Sequence, residues 1–172
     1  MQFKLTAVVA LLAAATPVVS TKCADDLVKT LNSLFEEAEK TSKAVDAIKL
    51  VNIFTDVPQT VTPLSGQIRT VGDAHGSGDC PGLRTEDQKK VCDALETYVK
   101  SNEDLTKAIT DKADLLKNIP FTAPIGAVLR TYEGVFDTYA NKAINAAPTC
   151  SDATKLLKSL GDNLTKAIDS YA

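Results

Sequence analysis

The sequence predicts an all-α fold: a bundle of about five helices, four long and amphipathic and one short, stabilised by disulfides. Three observations carry that expectation. Apolar residues recur every three to four positions through several long stretches, no alternating strand pattern of any length competes with them, and four cysteines all fall after an apolar leader.

The leader comes first. Lys4 supplies one positive charge and the run from Leu5 to Thr16 carries none, which is the pattern of a secretory signal peptide. A membrane-crossing helix needs about twenty apolar residues, and Pro17 and the polar Ser20-Thr21-Lys22 interrupt this run before it reaches that length. Val18 and Ser20 are small enough for the positions that a signal peptidase reads, so cleavage is expected after Ser20. The expected division is 1–20 as signal peptide and 21–172 as a single helical-bundle domain. The C-terminal stretch from Asp162 to Ala172 is polar and amphipathic, so neither a transmembrane segment nor a lipid anchor is expected, and the mature chain is read as secreted and extracellular.

The first helix is expected from Ala24 to about Phe54, with a stripe of Leu27, Leu31, Leu34, Phe35, Ala38, Val45, Ile48 and Val51. Between these stand acids and lysines, the acids Asp25 and Asp26 in the first turn, where the helix dipole favours them. Pro58 and Pro63 interrupt the next stretch, which reads as one short helix from about Thr62 to Gly72. The segment from Gly72 to Gly82 is turn-forming throughout and reads as the main exposed loop. Thr85 is then placed to cap a long third helix, with Gln88 reaching back as in a capping box. Its stripe of Val91, Leu95, Tyr98, Val99, Leu105, Ile109, Leu115, Leu116 and Ile119 runs to Pro120, with Ser101-Asn102 as the expected kink. Thr122 and Pro124 open a fourth helix carrying Ile125, Val128, Leu129, Tyr132, Val135, Phe136, Tyr139 and Ile144, which ends near Pro148. Thr149 or Ser151 opens a fifth, carried by Ala153, Leu156, Leu157, Leu160, Leu164, Ile168 and Tyr171. The N-glycosylation acceptor Asn163-Leu-Thr165 lies inside that last helix, a rigid setting that disfavours its use.

In an oxidising compartment Cys23, Cys80, Cys92 and Cys150 are expected to pair. Of the three pairings, a local loop Cys80–Cys92 with Cys23–Cys150 joining the ends of two helices is the favoured one. A metal site is not expected, because there is no close Cys-x-x-Cys pair and His75 is the only histidine.

The net charge of −3, with no run of Lys or Arg, excludes a nucleic-acid partner. Catalysis of the serine or cysteine type lacks a base: His75 sits among glycines and reads as a solvated loop residue, and the cysteines are committed to disulfides. The adjacent acids Asp25-Asp26, Glu36-Glu37, Glu86-Asp87 and Glu103-Asp104 point about 100° apart on a helix, so they do not converge on a substrate and read as solvated faces. No catalytic residue and no cofactor is expected. What remains is the apolar surface, and here two readings share the same residues. The stripes either fill the core or line a gap that admits an apolar ligand, since bundle interiors are recurrent sites for such ligands. The candidate lining residues are Ile109, Leu116, Val128, Leu129, Tyr132, Val135, Phe136, Leu157 and Leu164.

The stretch LLKNIPFTAPIGAVLRTYEGVF (115–136), with LGDNLTKAIDSY (160–171), resembles the fungal hydrophobic surface-binding protein and cell-wall galactomannoprotein family. The order of elements is similar too, over nearly all of the mature chain. The cysteine framework lies outside that family's core pattern, and the Ser/Thr-rich stalk and anchor of its wall-attached members are missing, which points to a freely secreted member. The resemblance implies a secreted helical bundle that encloses fatty acids or adsorbs to hydrophobic surfaces, with roles at the cell wall or towards a host partner. It transfers no individual binding residue. The alternative is a secreted effector or antigen that engages another protein through its helical surface and holds no small ligand.

Overall fold

The computed structural model describes residues 6–74, 80, 82–116 and 122–171, with side chains for 21–71, 80, 82–116 and 123–171. Within them the chain forms α1 (Thr6–Ala47), a 3-10 turn (Leu50–Asn52), α2 (Ile53–Ala74), α3 (Thr85–Asp111), the one-turn α4 (Ala113–Leu116), α5 (Thr122–Ala146) and α6 (Ala153–Ser170), and no strand is found among the described residues. The five long helices close into a ring. α2 packs on α1, α1 on α3, α3 on α6, α6 on α5 and α5 back on α2, and α3 also touches α5 across the interior. At one end lie both disulfides; at the other, Lys112 after α3 reaches the C-terminus of α1, so α1 and α3 run in parallel.

Helix α1 shows why the ring forms. Its buried residues Ala24, Leu27, Leu31, Leu34, Ala38, Thr41 and Val45, with Ile48 just past its end, alternate spacings of three and four, which keeps one seam facing its neighbours from Ala24 onwards. Each fully buried leucine stabilises the bundle by about 1.5–3 kcal/mol. Outside the seam, pairs such as Lys43 with Glu39 and Lys107 with Asp111 sit at i,i+4 on exposed faces and contribute little beyond solubility. Helix α3 buries about two residues per turn, Ala94 with Leu95, Tyr98 with Val99 and Ala108 with Ile109, because it has neighbours on several sides. The expected cleavage point after Ser20 falls inside α1, whose helical backbone runs through it without a break.

Several expectations are corrected. The first helix ends at Ala47 rather than near Phe54, and Val51, placed on its stripe, is 88% exposed in the 3-10 turn. The carbonyls freed at that end are bonded by Lys112, whose Nζ donates to the Asp46 oxygen at 2.9 Å and to the Ile48 oxygen at 3.1 Å. The second helix is not short: α2 has 22 residues and runs through both Pro58 and Pro63. Each proline removes one ladder bond, and burial of Ile53, Val57, Leu64, Gln67 and Val71 along one face holds the helix together in spite of that. The third helix does not kink at Ser101-Asn102, which are buried inside α3; it breaks at Lys112 instead. The capping box is absent, because Arg84 occupies the cap position without a side-chain cap bond, and Gln88 Nε2 donates to the Leu83 carbonyl at 2.8 Å. Likewise Asp152 precedes α6 in place of Thr149 or Ser151, and the Thr149 hydroxyl donates to Gln88 Oε1 at 3.0 Å. The expected exposed loop from Gly72 to Gly82 begins later, because α2 runs on to Ala74, and Cys80 within it is buried; His75 and the rest of 75–79 and 81 lie outside the described residues, as do the side chain of Thr122 and Ile119.

The disulfides are Cys23–Cys80 and Cys92–Cys150, not the local loop Cys80–Cys92. Cys92 lies seven residues inside α3, roughly 10 Å along the axis from its start at 1.5 Å per residue, so the short sequence separation from Cys80 is not a short path in space. Since α3 stands between α1 and α6 in the ring, Cys80 meets α1 and Cys92 meets the connection into α6. The two bridges therefore tie three neighbouring parts of the ring at one end.

The same end holds Asp87, read as solvated from sequence and found fully buried in the first turn of α3. Arg84 Nε donates to its Oδ2 at 2.9 Å, Lys90 Nζ stands 3.4 Å from its Oδ1, and Arg84 Nη2 also donates to the Thr21 hydroxyl at 3.0 Å, fastening the start of the predicted mature chain. Burial pushes the Asp87 carboxyl up, but the bonds and charges of Arg84 and Lys90 more than offset it and hold it below the usual carboxylate range.

Two outcomes follow at this end. Non-reducing peptide mapping will yield Cys23–Cys80 and Cys92–Cys150 fragments, and replacing the Cys92–Cys150 pair by alanines will cost up to about 4 kcal/mol of unfolding free energy for a closed loop of this length; a Cys80–Cys92 fragment would contradict the topology. A carboxyl with a lowered folded pKa stabilises above its unfolded value of about 3.9 and ceases to as pH falls through the folded one. Asp87→Asn will therefore lower the melting temperature at pH 7, and the deficit will shrink as pH falls below about 4, measured by circular dichroism; a deficit independent of pH would rule the carboxylate role out.

Candidate functional site

The interior divides into two apolar clusters. Towards the disulfides, Leu27, Leu31 and Leu34 of α1 meet Val91 and Leu95 of α3, Phe136 of α5 and Leu160 and Leu164 of α6. This half is filled by large side chains, with the Phe136 ring 5.5 Å from that of Tyr98 and 6.2 Å from that of Tyr132, centroid to centroid. At the far end the residues are smaller and a cavity remains. α1 and its end supply Val45 and Ile48, α2 supplies Val57, Thr60, Val61 and Leu64, and α3 and α4 supply Ile109 and Leu116; Ile125 and Val128 of α5 and Tyr171 after α6 complete the wall.

The wall is hydrocarbon even where its residues are not. The Thr60 hydroxyl donates to the Asp56 carbonyl at 3.0 Å, and the Tyr171 hydroxyl donates to the Ile109 carbonyl at 2.8 Å, so both are turned onto backbone oxygens. The cavity volume is about 20 Å³. That is enough for roughly one water, against about 300–1,000 Å³ for a typical ligand pocket, so the helices must part before anything larger enters.

Between the two clusters lies a polar layer. On α2, α3 and α5 it occupies a stripe position: Gln67 between Leu64 and Val71, Asn102 between Val99 and Leu105, and Tyr132 between Leu129 and Phe136. Tyr98 Oη lies 3.1 Å from Tyr132 Oη, Asn102 Nδ2 donates to the Tyr98 carbonyl at 2.8 Å, and the Tyr132 hydroxyl meets Asn102 Oδ1 and, at 3.0 Å, Gln67 Oε1. The Thr106 hydroxyl donates to the Asn102 carbonyl at 2.6 Å. Burial, and to a lesser degree the nearby Glu37 charge, pushes both tyrosine hydroxyls up, so they stay protonated at any physiological pH and serve as hydrogen-bonding groups rather than bases. Glu37 itself is half-buried and raised by desolvation, opposed by the Lys40 charge. Among the described residues no group of His, Cys, Asp or Glu is placed to hold a metal ion.

The fold is similar to that of Afmp4p. That solved structure, of the fungal protein in complex with palmitic acid, superposes with a TM-score of 0.77 at 12% identity over 87% of this chain and 99% of the other. At that identity the likeness to Afmp4p is one of fold. No family model matches the sequence, and no curated protein does.

Of the nine candidate lining residues, Ile109, Leu116 and Val128 stand in the cavity wall, and Leu129 is buried in the same cluster. Tyr132 belongs to the polar layer. Phe136 and Leu164 are buried in the filled half, where Val135 and Leu157 are half-buried against them. Sequence reasoning placed no wall on α1 or α2, although Val45, Ile48, Val57, Thr60, Val61 and Leu64 are six of its eleven residues. Asn163, the glycosylation acceptor, lies in α6 and is half-buried.

The layer has a testable asymmetry. Tyr132→Phe leaves the buried amide oxygens of Asn102 and Gln67 without the hydroxyl and should cost about 1–3 kcal/mol, whereas Tyr98→Phe removes a single hydroxyl contact and should cost about 0.5–1.5 kcal/mol. Urea denaturation of both variants measures the difference, and a larger loss for Tyr98→Phe would refute this arrangement.

Proposed function

We propose that the chain is a secreted, non-catalytic lipid binder that takes a fatty acyl chain into the far end of its helical ring. The observation that carries this reading is the cavity whose wall of eleven residues presents only hydrocarbon. The fold it shares with Afmp4p, solved with palmitic acid, supports it, as do the resemblance to the fungal surface-binding family and the leader followed by two disulfides, which suits an oxidising extracellular setting. No helix among the described residues is long and apolar enough to cross a membrane.

Binding requires the cavity to widen, and α2 is the wall suited to yield. It lacks two main-chain bonds, at Pro58 and Pro63, and the hydroxyls of Thr60, Thr62 and Ser65 bond other carbonyls, those of Asp56, Pro58 and Val61, which also loosens a helix. Parting α2 from α5 exposes mainly Val, Ile and Leu side chains, which an acyl chain re-covers at little net loss of buried apolar surface.

A second mode is favoured by a specific observation, the cluster of exposed Leu50, Val51 and Phe54, at 71%, 88% and 66% exposure, beside the cavity wall residues Ile48 and Val57. Such a tip suits adsorption to a hydrophobic surface, including the wall of a producing cell, and leaves the ring intact.

Palmitic acid at a hundredfold excess over its Kd should add about 2.7 kcal/mol, a rise in melting temperature of roughly 5–10 °C for a chain of this size. Val61→Trp, which fills the cavity, should abolish most of that rise while costing about 1–3 kcal/mol of ligand-free stability. No rise with any saturated fatty acid would refute the internal mode. For the tip, Leu50, Val51 and Phe54 all changed to Ser should leave thermal stability nearly unchanged and weaken depletion by hydrophobic beads; undiminished depletion would exclude it.

A further inference from the structure

The polar layer stands one helical turn from the cavity on two helices, where Gln67 follows Leu64 on α2 and Tyr132 follows Val128 on α5, and two turns from it on α3, where Asn102 precedes Ile109. Its hydrogen bonding does not close on itself. The Tyr132 hydroxyl has one proton and meets two amide oxygens, Asn102 Oδ1 and Gln67 Oε1. Asn102 has its orientation fixed by the bond from Nδ2 to the Tyr98 carbonyl, so the Tyr132 proton goes to Asn102. With Gln67 Oε1 towards Tyr132, the amide Nε2 has no partner, although the residue is fully buried. With the amide turned over, Nε2 donates to the tyrosine oxygen and Oε1 becomes the unpaired atom. The first orientation leaves both amide atoms of Gln67 without a partner and the second leaves only Oε1, so the second is favoured, and the desolvation of that acceptor is uncompensated until a donor bonds it.

A head group that carries a hydroxyl donor satisfies Gln67 Oε1, and one without a donor does not. A charged one is disfavoured. No Lys or Arg is buried among the described residues, and the half-buried Glu37, whose Oε2 lacks a partner, adds negative charge near the layer. We propose that Gln67, backed by Tyr132 and Asn102, receives the head of a single-chain lipid as a neutral hydrogen-bonding group, an un-ionised carboxylic acid or an alcohol, with the hydrocarbon in the adjoining cavity. This rests on the lipid-binding reading and extends it from chain to head.

The test titrates the full chain, as wild type and as Gln67→Leu, with palmitic acid, hexadecanol and methyl palmitate, read by displacement of a fluorescent fatty-acid analogue. Wild type should bind acid and alcohol at least about tenfold more tightly than the ester, which cannot donate, and Gln67→Leu should bring the three within about threefold of one another. Gln67→Met is the second variant, with the same expectation, should the leucine variant not fold. Equal binding of all three by wild type, a preference that survives in both variants, or binding of the acid without the alcohol overturns the head-group assignment and leaves lipid binding standing. Binding of none overturns both.

Discussion

Closing five amphipathic helices into a ring creates an interior that the seams must fill, and the rest of the structure follows from how unevenly they fill it. Towards the disulfides, leucines and the rings of Tyr98, Tyr132 and Phe136 meet across the ring and leave a solid core. Towards the α1–α2 turn the same seams carry Val45, Val57, Ile109 and Ile125, which pack around a void of about 20 Å³. Dense packing is the default state of protein interiors, so a residual apolar void is a departure that the surrounding helices sustain at a cost in dispersion contacts.

The two ends are also fastened differently. Two disulfides, the buried Asp87 with Arg84 and Lys90, and Gln88 between Leu83 and Thr149 tie α1, α3 and the α6 approach together at one end. At the other end the ties are Lys112 on the α1 carbonyls and Tyr171 on the Ile109 carbonyl, and neither holds α2 or α5. The polar layer sits where the regimes meet. A network of buried hydroxyls and amides resists sliding of the helices past one another, because any shift strands groups that water cannot reach. Among the described residues the ties above the layer are thus more numerous than those below it, and the proposed opening is placed on the side with fewer.

Much of the fold was legible because the seams follow helical spacing so closely, as in the alternation of threes and fours from Ala24 to Ile48. What misled was local chemistry that tertiary contacts override. Pro58 and Pro63 read as breakers, yet burial of Val57, Leu64 and Gln67 carries α2 through them. Ser101-Asn102 reads as a weak point, yet both are buried inside α3. The cysteines were paired by nearness in sequence, while the ring pairs them by which helices are neighbours. At the site, Ile109, Leu116 and Val128 were within reach, but shortening α2 to a minor element removed Val57 and Val61 from view. The layer did leave a signal: Gln67 and Asn102 are polar residues standing at stripe positions, where an apolar one would otherwise serve.

The central claim is that the lower half of this ring, between the polar layer and the α1–α2 turn, opens for an acyl chain while the upper half does not change. Methyl-labelled nuclear magnetic resonance during a palmitic acid titration tests it most directly. The account predicts saturable shifts for the methyl groups of Val45, Val57, Val61, Ile109, Ile125 and Val128, with those of Leu31, Leu34 and Leu160 unmoved. Shifts confined to the exposed Leu50 and Val51, or spread equally over both halves, would contradict it.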